Sequence, residues 1–101
     1  MLATERVARM EEAMVASREA VDGLNEAVAV LVDALDDLTE LSGYYGSQDW
    51  YDDRAADECG QLPEDLARGV LGEDEAYDVL IDARNAAIGA IEAATSALRV
   101  L

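Results

Sequence analysis

The sequence predicts an all-α protein: a long antiparallel helical hairpin, coiled-coil-like, with two short helices at its tip, pairing into a dimeric four-helix bundle. Three features point there. An apolar repeat of three and four residues runs through the first part of the chain. A weaker copy of it runs through the last part. Between the two lies a short stretch rich in aromatic and turn-forming residues.

The first helix is expected over about 3–42. Val7, Met10, Met14, Ser17, Val21, Leu24, Val28, Leu31, Leu35 and Leu38 alternate at spacings of three and four, the a/d seam of a heptad repeat. The seam stops at Ser42-Gly43, where a glycine is able to take the left-handed conformation that closes a helix. The second long helix is expected over about 73–100. Tyr77, Leu80, Arg84, Ala87, Ile91, Ala94, Leu98 and Leu101 keep the spacing, while Ile81, Ile88 and Thr95 widen the stripe. Glu73, Asp74 and Glu75 sit in its first turn, where carboxylates favour the positive end of the helix dipole. Ala83, Ala86, Ala87, Gly89, Ala90, Ala93, Ala94 and Ala97 leave room for a neighbouring backbone.

The middle segment, 44–72, is too short for an independent domain, so the whole chain reads as one helical domain over 1–101. Ser47 is a suitable N-cap for a short helix over about 48–59, and Gly60 a suitable end to it. Pro63 suits the first turn of another short helix over about 63–68. A second helix of this length spans ~43 Å and the first ~58 Å. A turn or more of the first helix, around Val7, Met10 and Met14, is then left without an intramolecular partner, and these residues are the expected dimer seam.

The charge is the strongest functional clue. The chain carries 23 acidic residues against 7 basic ones, all Arg, for a formal net charge of −16. Such a surface repels nucleic acid and anionic membranes and attracts basic proteins, so direct nucleic-acid binding and membrane binding are not expected. No apolar run is long enough to cross a bilayer and no signal peptide is evident. The lone Cys59 forms no internal disulfide, which suits a reducing cytoplasm.

Several chemistries are weakly supported. The carboxylates Asp49, Asp52, Asp53, Asp57 and Glu58 do not follow the alternating ligand spacing of a calcium loop and read as a solvated acidic face. A di-iron bundle needs histidine, and there is none. Cys59 has no histidine to activate it and sits beside two carboxylates. No glycine-rich phosphate loop is present, so neither catalytic residues, cofactor nor metal is expected, and the protein is read as non-enzymatic. Arg84, on the seam, is expected to lay its stem along it and reach an acidic neighbour. Tyr44, Tyr45, Trp50 and Tyr51 either plug the hairpin tip near Tyr77 or, beside Arg54, form part of an interface; the plug is favoured.

The middle of the chain carries a resemblance. Tyr44-Tyr45-Gly46-Ser47-Gln48-Asp49-Trp50-Tyr51-Asp52-Asp53, then Leu62-Pro63-Glu64-Asp65-Leu66, then Gly69-Val70-Leu71-Gly72-Glu73-Asp74-Glu75-Ala76-Tyr77-Asp78-Val79-Leu80, resembles the family of short bacterial helical proteins known as domain of unknown function 4298. The resemblance implies a free-standing helical bacterial protein and brings no activity, cofactor or site. Gly72 stands where the family pattern implies a capping serine.

Function is then expected to follow from charge and shape. Glu19, Asp22, Glu26, Asp33, Asp36, Asp37 and Glu40 follow Arg18 with no base among them, and together with Asp49, Trp50, Asp52 and Asp53 they are the expected partner-binding residues. B-form DNA presents one negative charge per ~1.7 Å of axis. The leading expectation is an acidic interaction protein that imitates nucleic acid and blocks a basic DNA- or RNA-binding protein, as phage inhibitors of CRISPR or restriction nucleases do. The alternative is a structural or regulatory coiled-coil module that binds a helical partner through its apolar seam.

Overall fold

A computed structural model describes residues 2–101. The chain is all-α: α1 spans Ala3–Tyr44, α2 spans Gln48–Glu58, a single 3-10 turn covers Gly69–Leu71, and α3 spans Glu73–Val100. No strand occurs among the described residues. Both long helices form where the apolar repeats place them, because a repeat of this period is satisfied only by helical backbone.

The end of α1 differs from expectation. Gly43 lies inside the helix, and the left-handed residue is Gly46, at φ 78°. Tyr45 N–H still reaches Leu41 O at 2.9 Å and Ser47 N–H reaches Tyr44 O at 2.9 Å, so the helix tightens into a turn before Gly46 reverses the chain. A glycine inside a helix costs only about 1 kcal/mol, which the surrounding turns tolerate.

Ser47 does cap α2: its Oγ accepts from Trp50 N–H at 3.2 Å. Gly60 ends the helix at φ 70°, donating to Asp57 O at 3.0 Å while Gln61 N–H donates to Ala56 O at 2.9 Å. That pair of bonds is a Schellman motif.

The second short helix expected over 63–68 does not form. Pro63 opens one turn, with Leu66 N–H on Pro63 O at 3.2 Å, and the chain then runs irregularly. Arg68 closes this irregular segment, its guanidinium donating to Pro63 O and, at 3.3 Å, to Leu66 O. The 3-10 turn follows, with Leu71 N–H on Arg68 O and Gly72 N–H on Gly69 O, both at 3.0 Å. α3 then starts from Gly72, in extended conformation and without a side-chain cap.

Contacts divide the chain between Asp36 and Asp37. Up to Asp36 there is a helix alone, and no residue of α1 is buried. Beyond it, Trp50, Leu71 and Ala76 form the buried core. The later part of the α3 stripe is open, with Ile91 68% and Leu98 75% exposed.

Candidate functional site

The ordered centre of the second part is built on Trp50. The side chain is 3% exposed, and its Nε1–H donates to Val70 O at 2.9 Å, tying α2 to the 3-10 turn. The rings of Tyr45 and Tyr51 meet Trp50 edge-on, with centroids at 4.9 and 5.1 Å. Tyr45 also lies 6.5 Å from the Tyr77 ring and donates its hydroxyl to Glu73 O at 3.1 Å. On the other side, Arg54 Cζ lies 4.7 Å from the centroid of the Trp50 ring, and Arg54 Nη1 reaches Glu73 Oε1 at 3.3 Å.

The plug expected of the aromatics is therefore shared unevenly. Trp50 is enclosed, which removes it from the contacting residues named from sequence, whereas Tyr51 and Tyr77 are about half exposed. Sequence spacing alone does not distinguish them, because the Val70 carbonyl that captures the indole lies twenty residues away.

Two polar clasps complete this module. Tyr44 donates its hydroxyl to Asp53 Oδ2 at 2.6 Å, and that bond, with burial and the Asp53 and Asp49 charges, pushes the phenol up to about 12. Arg68 pairs with Asp57 as well as with the carbonyls already described. Between the clasps an open pocket of about 280 Å³ is lined mainly by Leu62, Leu66, Val70 and Leu71, with Tyr44, Asp53 and Arg68 at its polar side. Asp49 and Asp52 face solvent, Asp52 accepting from Gln48 Nε2 at 2.8 Å, while Asp53 is occupied by Tyr44.

α1 presents a different surface. Glu19, Asp22, Glu26, Asp33, Asp36, Asp37 and Glu40 are all exposed on it. Within this set Glu19, Glu26, Asp33 and Glu40 recur every seventh residue, and Glu5 and Glu12 extend the row backwards. The row sits on the heptad position opposite the a/d seam, so its carboxylates point away from whatever the seam meets. Charge balance hides Glu5 and Glu12, because Arg6, Arg9 and Arg18 neutralise that part of the helix; the seven-residue period is the signal that reveals them. Arg9 approaches Glu12 at 3.8 Å, an exposed i,i+3 pair worth a few tenths of a kcal/mol.

The residues of the seam are largely exposed. Val7 and Leu24 are each 61% exposed, and Met10, Met14, Val21, Val28, Leu31 and Leu35 are exposed with them. The expected dimer seam, Val7, Met10 and Met14, lines a shallow depression of about 340 Å³ together with Arg6 and Glu11. On α3, Arg84 is exposed and forms no ion pair among the described residues, so the acidic contact expected for it is not made.

Cys59 is exposed at the end of α2. Among the described residues no group of three or more His, Cys, Asp or Glu side chains is placed to hold a metal ion. No helix is long and apolar enough to cross a membrane.

No curated protein and no solved structure matches this chain. The family described as Domain of unknown function (DUF4298) matches residues 7–93, a span that takes in the α1 seam, the aromatic module and most of α3. The chain is therefore a member of the DUF4298 family.

Proposed function

We propose that this protein is a non-enzymatic, acidic protein-interaction module of the cytoplasm that imitates nucleic acid and occupies a basic DNA- or RNA-binding protein, in the manner of phage anti-CRISPR or anti-restriction proteins. One observation carries the reading: from Glu19 to Glu40 α1 exposes seven carboxylates and no base. At ~1.5 Å rise per residue that is about one charge per 5 Å, against ~3.4 Å along one strand of DNA. A basic channel shaped for a phosphate backbone therefore meets a comparable line of charge. The non-enzymatic part rests on the absence of histidine and on the open solvent around Cys59.

The architecture proposed with it is the antiparallel hairpin of α1 and α3, two copies of which complete a four-helix bundle. Exposure of the seam supports association. Fully burying a Val, Leu or Met side chain is worth ~1.5–3 kcal/mol, so each half-exposed seam residue leaves about 1 kcal/mol unrealised. Spread along the whole seam of two chains, that is of the same order as the ~4–15 kcal/mol lost on association.

The second reading is a structural or regulatory coiled-coil module whose seam takes a helical partner, and the same exposure supports it. Salt separates the two. Binding to a basic nuclease is measured at about 50 mM and about 500 mM salt; mimicry predicts a loss of at least tenfold, since screening shortens the reach of charge. Binding that holds unchanged across that range contradicts mimicry and favours a seam-driven complex.

A further inference from the structure

We propose that the α1 seam is covered by a second copy of α1 laid antiparallel, in the register that sets Val7 level with Leu38 of the second copy. The inference rests on the dimer reading above and adds its direction and register: in the four-helix bundle the α1 seam faces the second copy's α1, and α3 packs on its flank.

The seam is complementary to itself when reversed. In an antiparallel pair the first seam position of each heptad meets the second position of the other chain. Here that gives Val7 on Leu38, Met10 on Leu35, Met14 on Leu31, Ser17 on Val28 and Val21 on Leu24, each pair occurring twice. Every seam residue is used and none overhangs. Sliding by one heptad strands either Val7 and Met10 or Leu35 and Leu38.

Charge favours the same direction. Residues 1–18 hold Arg6, Arg9 and Arg18 against Glu5, Glu11 and Glu12 and are balanced, whereas every charged residue in 19–44 is acidic. The antiparallel register brings Arg6 and Arg9 level with Asp37 on the same flank of the seam. A parallel pair would instead hold Asp33, Asp36, Asp37 and Glu40 level with their own copies along the axis. Reversing one helix moves those two acidic groups about 42 Å apart along the axis, several times the ~8 Å screening length of physiological salt.

The flank of the seam agrees. Ala13, Ala20, Ala27 and Ala34 occupy the position just before the first seam residue of successive heptads. This edge faces its own kind only in an antiparallel pair, so Ala13 meets Ala34 and Ala20 meets Ala27, and the two backbones approach closely. The resulting dimer has an acidic row at each end, which provides two separate places for a basic partner.

The test uses the full chain with Cys59→Ser to remove the native thiol. Light scattering first establishes the mass of this parent; a monomer at all concentrations overturns the dimer reading and the inference with it. Chains carrying Val7→Cys and Leu38→Cys are then mixed and oxidised with glutathione disulfide. The mixed dimer is expected to exceed either self-linked dimer by about tenfold, because the cysteines meet only across chains. A dimeric parent that links Val7→Cys to itself, or gives no mixed product, overturns the direction or register and leaves the dimer standing. A second measurement keeps the seam intact. The variant Asp37→Arg lowers the net negative charge, so general repulsion predicts tighter self-association. The antiparallel register predicts dissociation at least about tenfold easier, because Arg6 and Arg9 then face arginine. Unchanged or tighter association contradicts it.

Discussion

Trp50 and Leu24 are both large apolar side chains on helices of one chain, yet Trp50 is 3% exposed and Leu24 is 61% exposed. Around Trp50 the chain supplies its own partners: the rings of Tyr45 and Tyr51, the Arg54 guanidinium and the Val70 carbonyl. Along its own helix Leu24 is followed only by the same apolar residue type at Leu31 and Leu38 on one stripe. The aromatic module is thus a local structure completed within the chain, while α1 is a regular surface whose burial depends on another surface. Isolated helices draw little stability from propensity alone, so what covers α1 governs how firmly it is held.

The largest effect expected is at the module. Trp50→Ala removes its centre and is expected to cost about 3–5 kcal/mol, seen as lost amide protection across α2 and the 3-10 turn. If protection in α1 before Asp36 falls equally at low protein concentration, the two regions are not separable and the comparison breaks. Leu24→Glu should do the reverse. It is expected to leave Trp50 fluorescence unchanged while weakening self-association by about 2–3 kcal/mol, measured by sedimentation equilibrium.

A smaller effect is expected at Tyr44. Its folded pKa lies near 12 against an ordinary 10, so the neutral phenol is favoured by folding. The stabilisation is fully present below pH 10 and is lost as the pH rises from 10 through 12. Tyr44→Phe removes both the bond to Asp53 and this alkaline step, and tyrosinate absorbance against pH reads the step directly. A titration of Tyr44 at pH 10 in the intact protein would show the clasp open in solution. The smallest effect is at the cap of α2: Ser47→Ala is expected to cost about 1 kcal/mol in thermal or denaturant unfolding of the module, with self-association unchanged.

The same contrast explains what the sequence discloses. α1 and α3 are legible because a helix repeats its exposure every turn, so a stripe such as Val21, Leu24, Val28 and Leu31 carries its own proof of conformation. Ser47 and Gly60 are legible because caps act within four residues. The failures all involve longer reach or competition. Gly43 and Gly46 are equivalent as letters, and only the turn through Tyr44 and Ser47 selects the second. The Pro63 signal yields one turn only, and the contacts of Arg68 with the Pro63 and Leu66 carbonyls, which close the segment, follow no spacing rule. The indole of Trp50 is buried through a carbonyl that no spacing rule connects to it. Among the surface residues, the acidic character of α1 is plain from composition, whereas the seven-residue row from Glu5 to Glu40 emerges only once the helix is seen to run unbroken past Gly23.

The central claim is that the α1 stripe is open in one chain and closed by a second. Light scattering of the native protein over a range of concentrations tests it most directly. The account predicts a mass that rises from 10.8 kDa toward twice that value, with amide protection of Val21, Leu24 and Val28 rising in step. A mass that stays at 10.8 kDa at every concentration, with those amides already protected, would contradict it.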